Sequence, residues 1–168
     1  MQRVFAVLSV LLISLPAIAA ENPPPATQEF IDKAAVSNKF EIDTSQLALE
    51  HGKSDDVKKF AKEMVDDHTK VGEEFKATLK AANITPPADS LDLTHQAKYA
   101  KLRVFTTEDG FDSSYVAQQL AAHEEAVQLF KDHAANDPTP AIKDFAAKTL
   151  PKLEHHLEMV KELSAKHK

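Results

Sequence analysis

The chain has 168 residues, with 20 basic and 26 acidic side chains, no cysteine, no tryptophan and 3 glycines. An acidic balance with no Lys/Arg stripe and no glycine-rich phosphate loop argues against nucleic acid and anionic membrane surfaces as partners. Without cysteine there is no disulfide staple, so stability must come from a packed core, and a composition rich in Ala, Leu, Lys and Glu favours helices over sheets.

Residues 1–20, MQRVFAVLSVLLISLPAIAA, read as a cleaved signal peptide. Arg3 and the amino terminus supply the positive end, and Val4 to Leu15 form a short apolar run. Pro16 precedes a small-residue cleavage site, after Ala19 or Ala20. The run is shorter than the ~20 residues of a bilayer span, which disfavours an uncleaved anchor. No cysteine follows it, so a lipoprotein is excluded. Cleavage removes Arg3 and takes the net charge from −6 to −7. The expected location is periplasmic or secreted, with no transmembrane span after cleavage. Residues 21–26, ENPPPA, form a proline-rich spacer, and residues 27–168 form one domain.

Four long segments then show helical periodicity. The first runs from Thr27, an expected N-cap, to His51 before Gly52, with a stripe that includes Phe30, Ile31, Ala34, Ile42, Ala48 and Leu49. The second starts near Ser54 and carries Val57, Phe60, Met64, Phe75 and Leu79, ending by Asn83. The turn between them is so short that they must form an antiparallel hairpin. The third spans 111–136, with Asp109 and Asp112 as expected caps. The fourth begins at Thr139-Pro140 and carries Pro151 inside it, where a kink is expected. Residues 83–110 connect the hairpins, with room for a short helix over 91–105. The predicted fold is all-α: a ferritin-like four-helix bundle, two antiparallel hairpins joined by a long crossover connection, with the second and third long helices parallel.

Writing each apolar seam in alternating steps of three and four exposes one conspicuous polar residue per helix. They are Glu41 after Ala34, His68 after Met64, His123 after Leu120, and His156 after Leu153. Counting from the turns places the four within about one helical turn of each other, roughly 5.4 Å of rise. Three imidazoles and a carboxylate suit a transition metal such as Zn, Fe, Cu or Mn. Asp67 and Glu124, adjacent to His68 and His123, are candidates for orienting those rings. A metal-free hydrogen-bond and ion-pair network that sets helix register accounts for the same pattern. His51, His95, His133, His155 and His167 read as surface or helix-end residues.

The segments KAAVSNKFEI (33–42), VKKFAKEMVDDHTK (57–70), GFDSSYV (110–116), AAHEEAVQLF (121–130) and LPKLEHHLEM (150–159) resemble the domain-of-unknown-function 4142 family. The resemblance implies an exported bacterial protein with a ferritin-like helical fold and no established reaction. Its pattern matches Glu41, Asp67, His68, Asp112, His123, Pro151 and His156. The Glu-x-x-His motif of di-iron carboxylate enzymes is incomplete, because Val65 and Leu153 stand three residues before His68 and His156. No other catalytic signature is present, so the expectation leans away from an enzyme. The expected roles are envelope metal handling or oxidative-stress defence, or else a metal-free envelope protein that engages a protein partner through its charged surface. No surface pattern specifies an oligomeric state.

Overall fold

The computed structural model describes residues 22–107 and 110–167. The signal-peptide reading and Asp109 lie outside the described residues. The described chain is all-α, with helices α1 (Pro25–His51), α2 (Asp55–Ala81), α3 (Leu93–Val104), α4 (Phe111–Asn136) and α5 (Pro140–Lys166), and a 3-10 turn at Phe105–Thr107. No helix among the described residues is long and apolar enough to cross a membrane.

Helix α1 starts earlier than the sequence suggests, taking in Pro25 and Ala26, which had read as spacer. Pro25 suits the first turn because the amide it lacks has no intrahelical partner there. Thr27 is therefore no cap. It is fully buried, and its hydroxyl donates to Asp137 Oδ1 at 2.9 Å. The same carboxylate accepts from the Thr139 amide at 2.8 Å and from His133 Nδ1 at 2.6 Å, tying the start of α1 to the α4–α5 turn. His133 is thus a structural residue, its ring 4.5 Å from that of Phe30. At the other end of α1, Leu49 is 38 % exposed and Leu47 takes the core position expected of it. Helix α5 continues unbroken through the exposed Pro151.

Asp112 departs from its expected role as well. Instead of capping its own helix, it accepts backbone N–H bonds from Lys53 (3.0 Å) and Ser54 (2.8 Å), satisfying amides at the start of α2. Gly52 closes that turn so tightly that a Cβ would stand 2.6 Å from the Ala48 carbonyl oxygen. Because two charge-assisted bonds disappear together, Asp112→Ala should cost about 1–3 kcal/mol. An unchanged urea midpoint in that variant would show the clamp to be dispensable.

Cross-helix contacts fix the directions. Helix α1 meets α4 antiparallel, through Thr27–Asp137, Glu41–His123 and Ser45–Tyr115. Helix α2 meets α5 antiparallel, through Asp56–Lys166, Asp67–His156 and Glu74–Lys148. With α1 and α2 also paired across a short turn, α2 and α4 run parallel. Helix α3 lies against α1 and α4 and buries Leu102.

The core divides in two. One apolar cluster gathers Phe30, Phe75, Phe130, Phe145 and Leu153, and the other gathers Val57, Phe60, Met64, Tyr115 and Val160. Between them lies a layer of buried polar side chains: Glu41, Thr44 and Ser45 on α1, His68 on α2, Gln119 and His123 on α4, and His156 on α5. A layer that interrupts an apolar core at one height in four helices costs burial energy, so it calls for a chemical account.

Candidate metal centre

All four side chains are in the interior, with exposures of 2 % (Glu41), 4 % (His68), 1 % (His123) and 0 % (His156). The three imidazoles come together: one ring nitrogen from each lies within 4.8 Å of the others. Ring centroids are 5.8 Å apart for His68–His123, 5.4 Å for His68–His156 and 5.5 Å for His123–His156. Glu41 is beside this cluster rather than in it. Its Oε1 is 3.9 Å from His123 Nδ1.

The outer nitrogen of each ring faces an acceptor. His68 Nδ1 is 3.0 Å from Asn38 Oδ1, His123 Nδ1 is 2.9 Å from the Gln119 carbonyl, and His156 Nε2 is 3.1 Å from Asp67 Oδ2. Each acceptor holds the ring proton on the outside, which fixes the tautomer and leaves the lone pair on the inner nitrogen. Those inner atoms, His68 Nε2, His123 Nε2 and His156 Nδ1, are buried and have no hydrogen-bond partner among the described residues. Both Glu41 oxygens and Gln119 Oε1 are in the same condition.

Burial dominates the protonation of the site. It lowers His68 well below the usual histidine range, with His123 and His156 adding to the effect. Burial takes His123 down to about 4 against the opposing Gln119 carbonyl, and it lowers His156 against the opposing Asp67 carboxylate. For Asp67 burial pushes upward, but Lys152 at 2.9 Å and His156 outweigh it and hold the carboxyl below its usual value. Burial raises Glu41 to about 8, with Gln119 and Lys98 opposing. At neutral pH the cluster therefore presents three uncharged imidazoles, the form that binds metals. No hydrogen bond among the described residues joins one ring to another, because each ring is engaged by its acceptor on the outside. The donor set fits a transition-metal ion, and His68, His123 and His156 are the residues that would hold it.

The partners that orient the rings differ from the sequence expectation. Asp67 serves His156 across the α2–α5 contact, not its neighbour His68, and Glu124 is exposed. Consecutive helical residues point about 100° apart, so a ring is reached from its own preceding turn or from the facing helix. Asn38, one turn before Glu41, was the residue that sequence reasoning missed. A second grouping, Glu63, Asp67 and His156, lies at the rim of the site.

The sequence profile of the domain of unknown function 4142 matches residues 14–163. No curated protein matches the chain. Among solved structures, CopM in the Cu(II)-bound form is similar with a TM-score of 0.69 at 18% identity. CopM in the Cu(I)-bound form gives 0.67 at 20%. Both alignments cover 83% of this chain and 96% of the other. The chain shares its helical fold with these structures.

Proposed function

The chain belongs to the domain of unknown function 4142 family, and we propose that it is an exported metal-binding protein that holds one transition-metal ion through His68, His123 and His156. The observation that carries this reading is the convergence of three buried lone pairs whose ring protons are all held on the outside. Orienting acceptors of this kind accompany histidine ligands at metal sites, where they set the tautomer and raise ligand basicity.

Copper is the first candidate. The similar CopM structures are of Cu(I)-bound and Cu(II)-bound forms, and imidazole donors accommodate copper. Zinc, iron and manganese remain outcomes of the test. The architecture is read as a ferritin-like four-helix bundle of two hairpins, with residues 83–110 as the crossover and α3 as an addition within it. Residues 1–20 direct export to the periplasm, where the metal site would serve metal handling or defence against oxidative stress.

Elemental analysis of the mature protein, purified from the periplasm without a histidine tag, tests the reading. The expected result is about one equivalent of a single transition metal, falling more than about 100-fold in affinity in His68→Ala or His123→Ala. A metal-free protein that takes up none of the four ions would leave the polar layer as a register device and turn the search to protein partners.

A further inference from the structure

Next to the imidazoles lies a cavity of about 20 Å³, lined by His68, His123 and Glu41 and walled by apolar side chains that include Ala34, Ala126 and Phe145. That volume holds a molecule of water or diatomic size. Glu41 lines it with two buried oxygens that lack a hydrogen-bond partner among the described residues, yet neither oxygen joins the three-imidazole cluster. Three imidazole donors leave at least one position open on a four-coordinate ion. The route inward is thin. Asn38, Gly72 and Phe75 line both this cavity and a surface groove of about 390 Å³ between α1, α2 and residues 86–89. Gly72 has no side chain to close the gap, and a Cβ there would meet Asn38 Nδ2 at 2.9 Å.

Resting on the three-histidine reading, we propose that the cavity is a binding site for a small exogenous ligand of water or diatomic size. That ligand takes the open position on the metal, and Glu41 is its hydrogen-bonding neighbour rather than a metal ligand. The apolar walls would select by size, and the Glu41 carboxyl group would offer the ligand a hydrogen-bonding partner in the cavity lining. The site is thus built for access instead of being sealed by a fourth protein donor.

Carbon monoxide on the Cu(I)-loaded mature protein is the probe, read by its infrared C–O stretch. The parent protein should bind one carbon monoxide per copper with a single band. Glu41→Gln should keep its copper and shift the band, because the group beside the ligand changes. Ala34→Leu and Ala126→Leu approach the cavity from two neighbouring helices, α1 and α4. Each should retain stoichiometric copper and helicity while binding carbon monoxide about tenfold more weakly or worse. Copper-loaded parent protein that binds no carbon monoxide overturns the proposal, as do filled variants that bind it as the parent does. Loss of copper from Glu41→Gln would make Glu41 a ligand and overturn it too. Absence of copper from the parent would instead strike the three-histidine reading itself, and the cavity proposal with it.

Discussion

Adding the cognate metal to the apoprotein, in excess and at about 1,000 times its dissociation constant, should raise the thermal midpoint by about 8–16 °C. A ligand that binds only the folded state stabilises it by about 4 kcal/mol when present at 1,000 times its dissociation constant. In a domain of this size each kcal/mol moves the midpoint by roughly 2–4 °C. The folded state is prepared for such a gain. His68, His123 and His156 are already oriented by Asn38, the Gln119 carbonyl and Asp67, so little ordering remains to oppose binding. Three buried nitrogens without partners would also acquire one. The informative quantity is the increment between apo and loaded protein, because His123→Ala also opens a cavity and lowers the apo midpoint on its own. In that variant the increment should fall below about 3 °C. Differential scanning calorimetry with Cu, Zn, Fe and Mn in turn makes the comparison. An unmoved midpoint with all four ions would count decisively against a metal.

The polar layer was legible in the sequence because helical spacing is strict. A seam written in steps of three and four must place Glu41, His68, His123 and His156 inward if the neighbouring Ala34, Met64, Val116 and Leu153 are inward, and these are 4 %, 0 %, 1 % and 3 % exposed. Heights followed from the short turns at Gly52 and Pro138, which leave little freedom of register. What escaped was everything that depends on which rotamer crosses to which helix. Asn38 is half-buried and polar, so periodicity gives no reason to place it on His68, and a backbone carbonyl such as that of Gln119 has no signature at all. Asp112 looked like a cap because it begins a helix, whereas its carboxylate caps the start of a different one, brought near only by tertiary packing. Glu41 shows the same limit from inside the site. Its position was readable, but its standing apart from the three imidazoles was not.

Glu41 also governs a prediction about the apoprotein. Burial raises its carboxyl from 4.5 to about 8, so between those values the folded state holds a proton that the unfolded chain has released. Fewer protons on the unfolded state means that stability falls as pH rises through this window, by about 1.4 kcal/mol per pH unit and up to about 5 kcal/mol in all. The histidines act in the opposite sense. His123 is depressed from 6.5 to about 4, and His68 and His156 are lowered too, so the unfolded chain binds more protons as pH drops below 6.5. Stability is lost toward acid over that range. Three groups outweigh one below pH 6.5 and Glu41 acts alone above it, so the apoprotein should be most stable close to pH 6.5. Glu41→Gln removes the alkaline limb: its stability should rise by about 1 kcal/mol above pH 6.5, level off by about pH 7.5, and exceed that of the parent at pH 8 by several kcal/mol, with about 5 as the upper bound. Chelator-treated protein unfolded in urea across pH 4.5–8.5 gives both curves. If the parent and Glu41→Gln decline together above pH 6.5, the carboxyl is ionised and solvated in the folded state. Its place in the buried layer between the two apolar clusters would then have to be abandoned.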